Sequence, residues 1–213
     1  MRRVLGGLAV LVLLALAILA GVVVVRAVRL RAAAPPPVEP APAVALDLRA
    51  AAERLGAALR FRTISSVDTT QRADAEFQAF HAFLTQAFPT VHTRLRREAI
   101  GGLSLLYTWP GSDPALPPLL VLAHQDVVPV ETGTEGRWTH PPFAGVVAEG
   151  YVWGRGALDD KSSLMAQLEA VEGLLREGFR PRRTVLLAFG HDEEIGGRSG
   201  AAAIAAELRR RGV

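Results

Sequence analysis

The chain contains no cysteine. Disulfides and thiolate chemistry are excluded, and any metal site must be built from histidines and carboxylates. Lysine is nearly as scarce, since all but one of the 24 Lys and Arg residues are arginine. With Ala, Leu, Val and Gly abundant, that ratio reads as a compositional bias, so an arginine carries little information and Lys161 carries more. Aromatic residues make up 6% of the chain, and the basic residues are scattered singly and in pairs between acids. A net charge of +3 spread in this way gives no basic stripe with stacking side chains, which argues against nucleic acid as a partner. At 213 residues the starting expectation is one globular domain with a sizeable core.

Part of the chain is not core. MRR is followed by an uncharged apolar run over residues 4–25, and then by Arg26, Arg29 and Arg31. At ~1.5 Å per residue such a run, about 22 residues long, spans a hydrocarbon layer of ~30 Å. A cleaved signal peptide has a shorter apolar stretch, and a cut after Ala15-Leu16-Ala17 would fall in the middle of this one. Length therefore favours an uncleaved single-pass membrane anchor over 1–31. Arginines flank both ends, so the positive-inside rule does not set its orientation. Residues 32–45, rich in Pro and Ala, read as an extended spacer. The folded domain is expected over 46–213.

Within that domain Leu46, Leu48, Ala52, Leu55 and Leu59 fall at helical spacing, and residues 74–88 read as a second amphipathic helix carrying Phe77, Phe80, Phe83 and Phe88. The short apolar runs SLLYTWPG, PPLLVLAH and RTVLLAFG, bounded by turn residues, read as strands. Between the last two lies SSLMAQLEAVEGLLREG, a helix with Leu164, Leu168, Val171 and Leu175 on its inner face, closed by Gly178. Strand, crossover helix and strand predict a parallel unit, and the class is α/β. GAAAIAAELRRRGV reads as a final helix.

In open α/β sheets ligands bind beyond the carboxyl ends of the strands. Three polar clusters fall there: His124-Gln125-Asp126, Asp159-Asp160-Lys161 and His191-Asp192-Glu193-Glu194. Each has a plain structural reading: a hydrogen-bonded loop histidine, a helix N-cap, and a solvated acidic turn. The coincidence of all three supplies the His, Asp and Glu ligands of a hydrolytic zinc site. Asp126, two residues after His124, is placed either to steady the imidazole through its second ring nitrogen or to ligate directly. Glu193 and Glu194 are adjacent, so their side chains diverge, and one can bind metal while the other acts as a general base.

LLVLAHQDVVPV, WTHPPFAGVVAEGYVWGRGALDDKSS and PRRTVLLAFGHDEEIGG together resemble the dinuclear zinc metallopeptidase family of carboxypeptidase S, aminoacylase and succinyl-diaminopimelate desuccinylase. The nearest branch is the membrane-anchored Gly-X carboxypeptidase and N-acyl-amino-acid synthase/hydrolase type. The likeness runs from about Leu46 to the end of the chain. It implies a zinc-exopeptidase domain of the phosphorylase/hydrolase-like kind, three layers with a mostly parallel sheet, behind an N-terminal transmembrane helix. It further implies that His124 binds one zinc with Asp126 orienting it, that Asp159 bridges two metals, that Glu194 binds the second zinc, and that Glu193 is the general base. Asp160 matches a variable position, His140 and His191 are secondary, and Lys161 marks the motif without a ligand role. The implied reaction is hydrolysis of an amide next to a free carboxylate, with zinc, or another divalent metal such as cobalt, activating water. A small peptide or N-acyl amino acid is the implied substrate, and the implied location is outside the cytoplasm.

The family pattern also calls for a further acidic ligand, a lid or dimerisation domain through which a homodimer forms, and a late histidine ligand. The chain reaches Val213 before any of them, so it reads as the N-terminal part of such an enzyme. A membrane-tethered, non-catalytic remnant is the alternative expectation.

Overall fold

The apolar N-terminal run forms one helix, α1 (Arg2–Arg29). Its segment Gly6–Arg29, of mean hydropathy 3.3, is long and apolar enough to cross a membrane. The computed structural model describes residues 2–30, 44–68 and 70–213. The expected spacer at 32–45 therefore lies outside the described residues, apart from 44 and 45. Packing divides the chain into two units, Met1–Pro42 and Ala43–Val213, and the rest of the fold belongs to the second.

That unit begins with α2 (Leu48–Ala58), whose start is capped by Asp47 Oδ1 accepting from the Ala50 N–H at 3.0 Å. The phenylalanine-rich helix α3 (Asp74–Ala87) follows, and then the short α4 (Pro89–Arg94), which opens on proline, where the missing N–H costs nothing. Phe77, Phe80 and Phe88 are fully buried, while Phe83 packs on the same core from its margin. Next come β1 (Arg96–Ile100), β2 (Ser104–Trp109) and β3 (Leu119–His124), then a hairpin of β4 (Val146–Ala148) and β5 (Tyr151–Trp153). The chain closes with α5 (Lys161–Arg176), β6 (Val185–Gly190) and α6 (Ala201–Arg210).

Among the described residues the main sheet has four strands in the order β1-β2-β6-β3. The expectation of a mostly parallel sheet is corrected here. Only β3 and β6, the two strands joined through α5, run parallel; β1 with β2 and β2 with β6 are antiparallel. The reversal begins at Gly101 and Gly102, both at positive φ, which fold β1 straight back onto β2. At Gly101 a side chain would also collide with the Ser199 carbonyl. An apolar run signals a buried strand but says nothing of its direction. The sheet is mixed.

Alternation along the strands feeds two cores. Leu105, Tyr107, Trp109, Leu187 and Phe189 face one side and pack with Phe80, Leu84, Phe88, Leu164 and Leu168 from α3, the residue that follows it, and α5. Leu106, Leu186 and Ala188 face the other side and meet Ile204 and Leu208 of α6. Helices thus cover both faces, the expected three layers. Filling each side with large apolar groups contributes ~2 kcal/mol per fully buried Leu or Phe.

Candidate metal centre

β3 and β6 run parallel, so their carboxyl ends deliver His124 and the His191–Glu194 segment to the same edge of the sheet. The turn before α5 brings Asp159 and Asp160 to meet them. A nitrogen of His124 and carboxylate oxygens of Asp159 and Glu194 all lie within 4.8 Å of one another. His124 is 7% exposed, whereas the Asp159 side chain is 74% exposed. One wall of the cluster is fixed and the other faces water.

Asp126 is fully buried and holds both ends of this arrangement. Its Oδ1 lies 3.2 Å from His124 Nδ1 and also accepts from the Glu193 N–H at 3.1 Å. Its Oδ2 accepts from the Glu194 N–H at 3.0 Å. Asp126 therefore sets both the imidazole, whose Nδ1 also meets its backbone carbonyl at 3.1 Å, and the 3-10 turn (Glu193–Ile195) that carries the acid pair. That leaves His124 Nε2 directed at the cluster, 2.9 Å from Asp159 Oδ1 and 3.8 Å from Glu193 Oε2.

The electrostatics follow from crowding. Burial works against charging His124, but the hydrogen bond and charge of Asp126, joined by Asp159 and Asp160, outweigh it and raise its pKa to about 9. Burial alone would lift the Asp126 carboxyl. Hydrogen bonds from His124, Ser65 and the Glu194 N–H reverse this and hold it below the usual carboxylate range. Glu194 goes the other way: burial pushes it up, and the negative charges of Asp159, Asp126 and Glu193 push in the same direction against His124. A nitrogen and two carboxylates collected with surplus negative charge suit a borderline divalent cation. The donor set fits zinc-type chemistry.

The other candidates from the sequence fall elsewhere. Asp160 occupies the N-cap position of α5, yet its side chain makes no capping bond and instead accepts from the His124 backbone N–H at 3.2 Å. His191 is fully buried and paired with Ser104, Oγ to Nδ1 at 2.7 Å. His140 stands edge-on to Trp153 with ring centroids 5.3 Å apart. Neither joins the cluster. Gln125, passed over in the sequence, is fully buried, and its amide donates to the carbonyls of Leu103 and Phe189 while its Oε1 meets His81 Nε2 at 2.6 Å. Its place between two site residues at a strand end was the available signal. Beside the cluster, His124, Asp160 and Glu193 share a cleft of about 520 Å³ with Leu120, Leu122 and Ile204.

A three-layer α/β domain with His, Asp and Glu converging at its strand ends has the donor set to hold a divalent metal ion. Residues 120–213 match Peptidase family M20/M25/M40. The chain is 49% identical over 152 residues to a probable carboxypeptidase S-like protein of Dictyostelium discoideum, covering 70% of this chain and 29% of that protein. It is 43% identical over 166 residues to carboxypeptidase S of Saccharomyces cerevisiae, covering 75% and 29%. To the N-fatty-acyl-amino acid synthase/hydrolase of Bos taurus it is 43% identical over 167 residues, covering 76% and 32%. Human carnosine dipeptidase 1 has a similar fold, with a TM-score of 0.59 at 20% identity over 77% of this chain and 36% of that one. The chain thus matches this family over residues 120–213 and is similar to carboxypeptidase S and related proteins. It spans roughly 30% of the length of the curated relatives it matches.

Proposed function

We propose that the chain carries the metal-binding half-site of a zinc-dependent hydrolase that cleaves an amide bond next to a free carboxylate. The observation that carries this reading is the convergence of His124, Asp159 and Glu194 within 4.8 Å, with Glu193 beside them. His124 would hold one metal ion, Asp159 would bridge to a second, and Glu194 would hold that second ion. Bound there, the metal would polarise the scissile carbonyl and lower the pKa of water. Asp126 serves by orientation, since its carboxylate fixes the His124 ring and the backbone of the acid pair at once.

Glu193 is the general base and then the general acid. Its side chain is 58% exposed and lies 3.8 Å from His124 Nε2, so it can take a proton from attacking water and return it to the leaving amine. Substrates of this reading are small peptides and N-acyl amino acids, the classes named in the relatives. Helix α1 would tether the domain (46–213) to a membrane through the spacer at 32–45, with the domain on the extracytoplasmic side.

The test compares the full chain in detergent with its Glu193→Gln variant, loaded with zinc, on an N-acyl amino acid and on the same compound with its carboxylate esterified. The expected result is zinc uptake by both proteins, with any hydrolysis confined to the free acid and lowered in the variant by about 10²-fold or more. Turnover unchanged by Glu193→Gln would sink the assignment. Zinc uptake without hydrolysis of any such amide would favour a tethered, non-catalytic domain.

A further inference from the structure

Lys161 is the first residue of α5 and follows directly on Asp159 and Asp160. It is 1% exposed. Its Nζ donates to the carbonyl of Ala58, the last residue of α2, at 3.0 Å, and to that of Phe61 just beyond, at 2.7 Å. It also lies 4.8 Å from the centre of the Phe80 ring. Among the described residues no carboxylate is within ion-pair distance of it.

Such a group is costly. Burial in a site with no ion-pair partner among the described residues disfavours the ammonium form. A positive charge at a helix N-terminus also opposes the helix dipole. Leucine or methionine would fill the same volume without either cost, and such replacements of buried charges are often neutral or stabilising. The stem of Lys161 does nothing that an apolar chain would not do; the amine makes the difference. What the amine adds is two directional bonds to the carbonyl end of α2, where the dipole is negative.

The neighbours of Lys161 bond the opposite way. Asp159 Oδ1 reaches His124 Nε2 at 2.9 Å, and Asp160 Oδ2 accepts from the His124 N–H at 3.2 Å. Three consecutive residues thus span from the end of β3 to the end of α2. Asp159 sits on the open wall of the cluster with a side chain mostly in water, and packing does not set its position.

We propose that Lys161 is a positioning residue for the metal centre: by clamping the start of α5 to the Ala58 and Phe61 carbonyls, it fixes where Asp159 presents its carboxylate. This rests on the metal-centre reading above.

The experiment uses the full chain in detergent, unmutated and as Lys161→Met. Zinc affinity is read by competition with a chelating dye, and thermal unfolding is read without metal. A clamp predicts that Lys161→Met unfolds in a normal cooperative transition without metal yet binds zinc roughly 10- to 100-fold more weakly, the range seen when supporting partners of a metal site are removed. Wild-type zinc affinity in the folded variant overturns the proposal and leaves the metal centre standing. No zinc uptake by the unmutated chain overturns the metal centre and this proposal with it. Should Lys161→Met fail to fold, the unmutated chain answers the question, because its one lysine gives a single unambiguous side-chain NMR signal. Zinc added at fixed pH displaces that signal if Lys161 and Asp159 are mechanically joined; an unmoved signal overturns the clamp.

Discussion

Two glutamates, Glu172 buried and Glu194 half-buried, behave in opposite ways. Glu172, on α5, accepts from the backbone N–H groups of Thr90 and Val91 at the start of α4, at 3.2 and 2.8 Å, and pairs with Arg176 at 2.9 Å. Burial would raise its pKa, but these donors hold it below the usual range. Glu194 has a single backbone-supported turn beneath it and three other carboxylates around it, and its pKa is raised. Glu172 completes a helix end and needs nothing more. Glu194 is left short of positive charge by the protein itself. Satisfied acids hold the fold, and the unsatisfied acid lies where the proposed cation would bind.

Three measurements sharpen or break that contrast. The largest effect belongs to the metal. Zinc at 100 times its dissociation constant raises unfolding free energy by about 2.7 kcal/mol. Chelator reverses this, and Asp159→Asn removes it. Calorimetry that finds no shift with zinc would place Glu194 and Glu172 in the same category. Next, Glu172→Ala leaves two backbone donors of α4 without an acceptor and costs about 2 kcal/mol at neutral pH, with zinc affinity unchanged. Because the folded pKa of Glu172 is depressed, its contribution is complete above the ordinary carboxylate pKa of ~4.3 and fades as pH falls through the folded value. Urea unfolding of the two proteins should therefore converge in acid. The smallest effect is Glu194→Gln in the metal-free chain, a gain of about 0.5 kcal/mol at neutral pH, reduced by the water that reaches the site. Its folded pKa is raised, so the ionised form is penalised above that value and the penalty disappears as pH falls through it. The gain should shrink on acidification, and the same variant should bind zinc more weakly.

Much of this arrangement was readable in the residues. The helices around Leu55, Phe80, Leu168 and Ile204 follow from apolar spacing, and the strands SLLYTW, LLVLAH and VLLAFG from short apolar runs between turns. Strand β1 was not readable. RREAI is mostly charged and solvated, as an edge strand tolerates, and only its pairing with β2 makes it a strand. The β4–β5 hairpin is three residues a side, too short for alternation to register. Sheet direction escaped because it resides in connections and turns, not in hydrophobicity. At the site, the types His, Asp and Glu at strand ends announced a metal chemistry. The bonds of Asp160 to the His124 backbone and of Lys161 to the end of α2 were invisible, because they join positions 36 and 103 residues apart.

The alternation along β6 has a further consequence for which changes the chain can absorb. Leu187 and Phe189 serve one core, Leu186 and Ala188 the other, and four residues after Gly190 the strand has already become the acid pair. A substitution at one of these four positions disturbs one core and leaves the other in place. Adding or deleting one residue would exchange the two cores and turn Glu193 and Glu194 away from His124 in the same stroke. For this segment the heritable constraint is arithmetical: composition can drift, and the count cannot.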